Sequence, residues 1–378
     1  MITNKTQTNS HGTHGGEVIR LAQLLGVAPE SILDFSSNAN SLCDDLTRSV
    51  LDSLPLTYQR YPDSDCTALR QRIARHEHAD AEQILAGNGS SELIYLALQT
   101  LRPARVLMVA PIFSEYARAC DAFGIGYKLF SPTPESGFDV TEADMLAIRQ
   151  MVATYQPDMA ILCTPNNPAC TAYSDIARLI GELRSPYILI DNSYLDFLWG
   201  TNAYVQHEMQ AYQSYAAPES RIISLRSMTK FFYCTGIRLG YCHSDAETIS
   251  RMEPSKTPWS VWEIAQQAGM AFIDRIDEYR SRLPEMRKEK REFAKALQQS
   301  GAFADGNIFE GANFVTAGLN AHLSGKVVYQ KLLKQGMLVR LCDNIPGMPA
   351  NFIRMQAREK AAWLPLTEAL SIIVKHTA

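Results

Sequence analysis

The sequence has no continuous apolar run of about 18 residues, which is the length that a membrane-spanning helix needs. Its first ten residues are mostly polar and lack the apolar core of a secretory signal. The formal net charge of its 378 residues is −4, and no basic cluster stands out along the chain. We therefore expect a cytoplasmic protein that has neither nucleic acid nor a membrane as a partner.

Paired cysteine motifs are absent as well. The eight cysteines include no two that are separated by two residues. A chain of this length buries a large core and needs no disulfides to hold it together. We expect reduced, structural thiols and no metal site. The chain also shows no internal repeat, and its length favours two domains.

What is present is an alternation of short apolar runs with amphipathic helical patterns. The predicted strands are Val106–Ala110, Met159–Cys163, Tyr187–Ile190, Arg221–Leu225 and Ile237–Cys242. The predicted helices among them are Ser91–Leu101, Glu115–Phe123 and Asp175–Leu183. This alternation is typical of an α/β fold with a mostly parallel sheet.

The pattern changes after Pro258. A long, polar helical stretch covers about Val261–Ser300, with opposite charges four residues apart. Short predicted strands follow at Asn313–Ala317, Met337–Leu341 and Asn351–Met355. We expect a second, smaller α+β domain there. The predicted division is an N-terminal arm with part of the small domain at 1–44, a large domain at 45–262 and a small domain at 263–378.

Two predicted strands end in polar residues, at the edge of the sheet where open α/β folds bind ligands. Asp191 follows Tyr187–Ile190 directly. Alone, it could be a helix cap or a loop ion pair. As a functional residue, its carboxylate would face a pyridinium nitrogen. Asn167 lies in a turn flanked by two prolines, and its amide could bind the phenolic oxygen of such a ring.

Lys230 follows the strand Arg221–Leu225 in a mostly apolar, hydroxyl-bearing segment. An isolated lysine is more often a surface residue. Here its surroundings favour a partly neutral amine that forms a Schiff base. Ser227, Thr229 and Arg238 together are typical of a phosphate site.

Two further signals are weak when taken singly. The turn Gly87–Glu92 precedes a predicted helix, and small residues at a helix start expose backbone N–H groups to a phosphate. Phe113 follows the strand Val106–Ala110, where it could be a core residue or could stack on a planar ring.

The order of these signals is more specific than any one of them: phosphate turn, aromatic residue, asparagine turn, Asp191 with Tyr194, then Lys230 with Arg238. In this order the chain resembles the fold-type I pyridoxal-phosphate enzymes of the class I/II aminotransferase superfamily, over about residues 15–358. The resemblance implies a large domain with a mostly parallel sheet, a smaller α+β domain and pyridoxal 5′-phosphate as cofactor.

The resemblance also implies roles for individual residues. The catalytic residues would be Lys230, which carries the cofactor, Asp191, which pairs with the ring nitrogen, and Tyr194, which with Asn167 binds the ring oxygen. Phe113 would stack on the ring. The cofactor phosphate would be bound by Ser90, Ser91, Ser227, Thr229 and Arg238. Tyr61 would reach the phosphate of the other subunit in a homodimer, and Arg354 would hold the substrate carboxylate.

Two branches of the superfamily fit, the threonine-phosphate decarboxylases and the histidinol-phosphate aminotransferases. The stretches that favour the first are His14–Gly16 with Leu33–Ser36, Arg226–Phe231, Pro258–Val261, and Val339–Asp343 with Phe352–Arg354. In that branch His14 and Arg340 would bind the substrate phosphate, and Asn40 would line the substrate site. Departures from the usual pattern at Ser41–Cys43 and Trp262 leave phosphothreonine and phosphoserine open as substrates.

The function that we expect is pyridoxal-phosphate-dependent decarboxylation of a phosphorylated amino acid. L-Threonine O-3-phosphate would give (R)-1-aminopropan-2-yl phosphate, which serves cobalamin side-arm synthesis. The alternative is an aminotransferase for histidinol phosphate or another amino acid, since the same residues serve both reactions. A non-catalytic regulator is disfavoured, because such proteins usually carry an appended DNA-binding domain, for which this chain has no room and no basic patch.

Overall fold

The computed structural model describes residues 15–55 and 57–377. The helices are α1 Val18–Leu25, α2 Asp44–Asp52, α3 Thr67–Glu77, α4 Gly89–Leu101, α5 Ser114–Phe123, α6 Glu142–Tyr155, α7 Ile176–Leu183, α8 Asn202–Gln206, α9 Met209–Tyr215, α10 Met228–Phe231, α11 Ala246–Met252, α12 Glu263–Asp274, α13 Ile276–Ser281, α14 Leu283–Gln299, α15 Gly325–Lys334 and α16 Lys360–Lys375. The strands are β1 Leu33–Asp34, β2 Ile84–Asn88, β3 Arg105–Val109, β4 Gly126–Phe130, β5 Met159–Cys163, β6 Tyr187–Asp191, β7 Arg221–Ser227, β8 Leu239–His243, β9 Phe303–Glu310, β10 Phe314–Leu319, β11 Met337–Leu338, β12 Arg340–Leu341 and β13 Phe352–Gln356.

A seven-stranded sheet in the order β2-β8-β7-β6-β5-β3-β4 forms the centre of the large part of the molecule. Its strands from β4 to β7 pair in parallel, and β8 is antiparallel to both of its neighbours. Buried apolar clusters cover both faces, which explains why β5 and β6 are nearly continuous apolar runs rather than alternating ones. The predicted mostly parallel sheet is confirmed.

The connections place the ligand-binding edge. From β3 the chain goes outward to edge strand β4 and then returns to β5 on the other side of β3. The strand order therefore reverses at β3 and β5, and open α/β sheets bind ligands beyond the strand ends at such a point. The residues that follow β3, β5, β6 and β7 converge there.

A small antiparallel sheet in the order β12-β13-β10-β9 forms the second core, with α14, α15 and α16. The N-terminal segment belongs to this core, because Leu21 and Phe35 are buried in it. Strand β1 pairs in parallel with β11, and Phe35 O accepts a hydrogen bond from Gln356 N at 2.7 Å. The segment Leu33–Phe35 is thus attached to β11 and β13, which lie about 300 residues further along the chain.

The predicted domain bounds remain a prediction, and the packing of α12 favours a later division. This helix lies in the segment 263–378 that we assigned to the small domain. It packs against α2 and α3, and Ala268 and Phe272 share a buried cluster with Leu69. We propose that the small domain begins after α12.

Several predicted elements differ in detail from the observed ones. The stretch Met337–Leu341 is two short strands that belong to different sheets, because β11 pairs with β1 and β12 with β13. The long helical stretch after Pro258 is three helices, α12 to α14. Strands β1, β2, β4 and β9 were missed in the sequence. Within residues 15–55 and 57–377, no helix is both long and apolar enough to cross a membrane.

Candidate active site

One cavity at the switch-point edge gathers most of the residues predicted as functional. The predicted residues that line this cavity are Ser90, Ser91, Phe113, Asn167, Asp191, Tyr194, Ser227, Thr229, Lys230, Arg238, Arg340 and Arg354. The lining also includes Gly15, Ser36, Ser37, Ser114, Ser193 and Ile345, which sequence reasoning did not assign. The large sheet, the small sheet and the N-terminal segment all contribute side chains.

Lys230 lies on the one-turn helix α10, directly after β7. Its ammonium nitrogen donates a hydrogen bond to Ser37 O at 3.1 Å. Burial lowers the pKa of Lys230 to about 8, and the charges of Arg354 and Arg238 act in the same direction. Because the usual pKa of a lysine is near 10.5, a substantial share of this amine is neutral and nucleophilic in mildly alkaline solution.

Asp191 ends β6 and is only 4% exposed. Its Oδ1 accepts from Ser193 N at 3.0 Å, and its Oδ2 accepts from the Tyr116 hydroxyl at 3.0 Å. Burial raises the pKa of Asp191, while these two hydrogen bonds oppose the increase. A buried carboxylate of this kind is stabilised by a cationic partner, as the predicted pairing with a protonated ring nitrogen requires.

Tyr194 and Asn167 lie beside Arg354. The hydroxyl of Tyr194 accepts a hydrogen bond from Asn38 Nδ2 at 3.4 Å. Burial raises the pKa of Tyr194 to about 12, so the phenol remains protonated and can donate to a ring oxygen. Arg354 Nη1 donates to Asn167 Oδ1. The side chains expected to contact the ring and the substrate therefore adjoin each other.

Arg354 is a buried cation, 6% exposed, on the small-domain strand β13. Its Nη2 donates to Ser36 O at 2.5 Å, and its buried Nε has no hydrogen-bond partner. Among the described residues, no carboxylate forms an ion pair with it. Because a buried guanidinium without an anion is costly, the site is suited to an anionic ligand.

The start of α4 has the properties of a phosphate site. Ser90 and Ser91 lie in its first turn, where backbone N–H groups are free of helical partners. A Cβ on Gly89 would approach Arg238 Nη2 to 2.6 Å, so this glycine, at φ +73°, lets the guanidinium lie against the helix start. Ser227 and Thr229 add hydroxyls whose oxygens are 2.8 Å apart.

Arg340, 5% exposed, lines the same cavity from β12. It donates to Asn344 Oδ1 at 2.7 Å and to Leu341 O at 2.9 Å. Burial lowers the pKa of Arg340 from its usual high value. Two buried guanidinium groups, those of Arg340 and Arg354, thus face one cavity together with Lys230.

Two predicted site residues that the structure describes, Tyr61 and Asn40, are not in the cavity lining. His14 lies outside the described residues. Tyr61 is 81% exposed and stacks on Trp259, with ring centroids 4.7 Å apart. Asn40 is buried, and its Nδ2 donates to Phe231 O at 3.2 Å and to Cys43 Sγ at 3.1 Å. Asn40 therefore holds the N-terminal segment against α10, and it is Asn38 that reaches Tyr194.

The residues that sequence reasoning missed fall into two groups. Ser36, Ser37 and Asn38 form a run of small polar residues after a short strand, which could have indicated a backbone that approaches a ligand. Tyr116 gave no signal, because an aromatic residue in an amphipathic helix is usually a core residue. Only the structure places its hydroxyl on Asp191.

The fold and this site define a cofactor-dependent enzyme with a lysine, an aspartate and a phosphate site at one sheet edge. A family model described as "Aminotransferase class I and II" matches residues 30–363. The chain belongs to the class I and II aminotransferase family. Both the predicted family and its cofactor, pyridoxal phosphate, are confirmed.

Among curated proteins, the chain is 31% identical to a threonine-phosphate decarboxylase from Salmonella typhimurium, over 97% of this chain and 98% of that protein. It is 29% identical to a histidinol-phosphate aminotransferase from Desulfitobacterium hafniense, over 85% of each chain. Both predicted branches are thus represented among its relatives.

Two solved structures agree with the fold. L-Threonine-O-3-phosphate decarboxylase from Porphyromonas gingivalis has a TM-score of 0.73 at 21% identity, covering 90% of this chain and 99% of that one. Histidinol-phosphate aminotransferase from Sinorhizobium meliloti, in complex with pyridoxal-5′-phosphate, has a TM-score of 0.77 at 16% identity, covering 98% of this chain and 100% of that one. At these identities the likeness shows the shared fold alone.

Proposed function

We propose that this protein is a pyridoxal-phosphate-dependent decarboxylase of a phosphorylated amino acid. The substrate that we propose is L-threonine O-3-phosphate, and the product is (R)-1-aminopropan-2-yl phosphate, which serves cobalamin side-arm synthesis. The observation that carries the proposal is the pair of buried guanidinium groups, Arg340 and Arg354, in the cavity of Lys230. A substrate with both a carboxylate and a phosphate has an anion for each of them.

The relatives support the same proposal. The curated protein that matches 97% of the chain at 31% identity is named threonine-phosphate decarboxylase. A second relative, the adenosylcobalamin biosynthesis bifunctional protein from Leptospira interrogans, is 26% identical over 96% of this chain and 41% of that protein. Its name supports a place for this chain in cobalamin synthesis.

The chemistry of the side chains fits pyridoxal phosphate. Lys230 would hold its aldehyde carbon, Asp191 its ring nitrogen, and Asn167 and Tyr194 its ring oxygen. Phe113 would pack on the ring face. The phosphate would bind to the start of α4 and to Ser227, Thr229 and Arg238. When bound, the cofactor supplies a ring that accepts the electrons released at the substrate Cα.

The protein's own groups then decide which bond at Cα breaks. Arg340, with His14, would anchor the substrate phosphate, and Arg354 would orient the carboxylate. A carboxylate held perpendicular to the cofactor ring favours loss of carbon dioxide. Lys230 would then return a proton to Cα as a general acid.

The proposed assembly is a homodimer in the cytoplasm, without a nucleic-acid or membrane partner. Tyr61 supports it: the ring is exposed and lies outside the cavity of its own chain. Its neighbour Trp259 is also 48% exposed, so the two form an aromatic surface. In a dimer, Tyr61 would bind the cofactor phosphate of the partner subunit.

The decisive experiment measures carbon dioxide release from L-threonine O-3-phosphate by the cofactor-loaded protein, without any keto acid. We expect release together with an amino-alcohol phosphate, and no release from the Lys230→Ala variant. Phosphoserine, tested next as a competitor, shows whether the site requires the methyl group of the phosphothreonine side chain. Absence of release from both phosphothreonine and phosphoserine by the loaded wild-type protein would refute the decarboxylase.

The second candidate is an aminotransferase for histidinol phosphate or another amino acid. It is favoured by the relative from Desulfitobacterium hafniense, and the same Lys230 would instead remove the Cα proton as a general base. Its test is amino transfer from histidinol phosphate to 2-oxoglutarate. Transfer without carbon dioxide release would make this the function and would assign Arg340 to a different phosphate ester.

A further inference from the structure

The carboxylate of Asp191 is held by donors from two different elements. Ser193 N, two residues along the chain, donates to Oδ1. The hydroxyl of Tyr116, from helix α5, donates to Oδ2 at 3.0 Å. The donor at Oδ2 is thus remote in sequence, and its presence depends on how α5 packs on the sheet.

Tyr116 is completely buried, with 0% of its side chain exposed. It lies in the first turn of α5, and its N–H donates to Phe113 O at 3.2 Å. The turn that places Phe113 against the cavity therefore also fixes Tyr116. Burial raises the pKa of Tyr116 well above its usual value, and the charge of Asp191 adds to this, so the phenol is a permanent donor.

A hydrogen bond donated to a carboxylate makes it a weaker base. This matters where a carboxylate faces a ring nitrogen, because the proton between them can lie on either atom. On the nitrogen it gives an ion pair, and on the oxygen it gives a neutral pair. The weaker the carboxylate base, the more the proton favours the nitrogen.

We propose that Tyr116 is a positioning residue that acts through Asp191 to keep the ring nitrogen of bound pyridoxal phosphate protonated. The inference rests on the proposed function, since it requires that cofactor. Tyr116 does not line the cavity. It would nevertheless influence how strongly the cofactor ring accepts electrons from the substrate.

The test compares Tyr116→Phe with Tyr212→Phe. Tyr212 is equally buried, and its hydroxyl accepts from Asn192 Nδ2 at 2.8 Å, one residue beyond Asp191. The control thus loses a buried tyrosine hydrogen bond at the same strand end without changing the carboxylate. The readouts are the nitrogen-15 NMR shift of ring-labelled pyridoxal phosphate and its dissociation constant by equilibrium dialysis.

In Tyr116→Phe we expect the nitrogen signal to move toward that of a neutral pyridine. The affinity for the cofactor should fall about tenfold, because a charged hydrogen-bonded pair at the ring nitrogen is replaced by a weaker neutral one. In Tyr212→Phe the signal should stay in place and the affinity should change less than about twofold. With a deaza cofactor, in which carbon replaces the ring nitrogen, Tyr116→Phe and wild type should bind equally.

An unmoved nitrogen signal in Tyr116→Phe, an equal shift in Tyr212→Phe, or a Tyr116→Phe defect that persists with the deaza cofactor would each overturn the inference. Thermal unfolding of the apoprotein checks that the variant folds. If Tyr116→Phe does not fold, Tyr116→Met supplies a second side chain without a hydroxyl. Failure of the wild-type protein to bind pyridoxal phosphate at all would instead refute the proposed function.

Discussion

The two walls of the cavity differ in where along the chain their residues come from. Asp191 is the last residue of the large-sheet strand β6, and Lys230 follows β7 within a few positions. On the opposite wall, Arg354 contacts Ser36, which is 318 residues away in sequence. The wall expected to hold the cofactor therefore depends on local strand ends. The wall expected to hold the substrate depends on packing between the two ends of the chain.

This comparison predicts that a substitution in one wall can impair substrate turnover without impairing cofactor binding by the other wall. Arg354→Met should lower kcat/KM by two to three orders of magnitude, because truncating a buried charge that pairs with a ligand costs about 2–5 kcal/mol. Cofactor affinity should stay near that of wild type. The apoprotein should unfold at the same or a higher temperature, since the variant removes a buried cation that has no carboxylate partner among the described residues. Steady-state kinetics, equilibrium dialysis with the cofactor and calorimetry measure these three effects, and a lower unfolding temperature would contradict this account.

On the wall expected to hold the cofactor, Lys230 should make the stability of the apoprotein depend on pH. The pKa of Lys230 is about 8 in the folded apoprotein and near 10.5 when unfolded. Between these values the unfolded chain binds more protons, so stability should rise with pH through that window. The full effect is about 3 kcal/mol. Urea unfolding of the apoprotein at several pH values measures the free energy of unfolding. Comparison with Lys230→Met isolates the contribution of Lys230. Parallel curves for the two proteins would contradict the lowered pKa.

A side chain added at Gly240, beside the phosphate site, should be tolerated less well than one added at the nearby Gly236. A Cβ on Gly240 would lie 2.6 Å from Ser90 N and 2.9 Å from Arg226 O, so Gly240→Ala must move backbone. We expect a loss of about 2 kcal/mol in stability and weaker cofactor binding. Gly236→Ala is the matched control, because its Cβ would meet nothing within 4 Å. Similar losses in both variants would mean that the close approach is not important.

The smallest effect should come from Asn40. Asn40→Ala removes the hydrogen bond to Phe231 O and should cost about 1 kcal/mol in stability. If Asn40 only holds the N-terminal segment against α10, KM for the amino-acid substrate should remain within about twofold. A large rise in KM with unchanged stability would restore its predicted place in the substrate site.

The cofactor wall could be read from the sequence for a physical reason. Each strand that precedes it is a buried apolar run, and the first polar residues after such a run must lie at the sheet edge. Asp191 and Lys230 could therefore be placed together without knowledge of the pairing.

The substrate wall could be read only in part. Arg340 and Arg354 were found from family resemblance, but Asn40 was expected in the site and lies beneath α10. Its place depends on how the N-terminal segment is attached to the small sheet, through the parallel pairing of β1 with β11. No local pattern encodes that pairing. For the same reason Met337–Leu341 was taken as one strand, although its two halves pair in different sheets.

The segment Ser36–Asn38 touches Arg354, Lys230 and Tyr194 through Ser36 O, Ser37 O and Asn38 Nδ2. These contacts close loops of 156 to 318 residues, and such distant contacts form late because the entropy of loop closure opposes them. During synthesis, Ser36 is made 318 residues before its partner Arg354, so their contact cannot form until the later residue has been synthesised. We therefore expect the contacts of Ser36–Asn38 to form late in folding, and a nascent chain that does not yet contain Arg354 should lack a complete cavity wall.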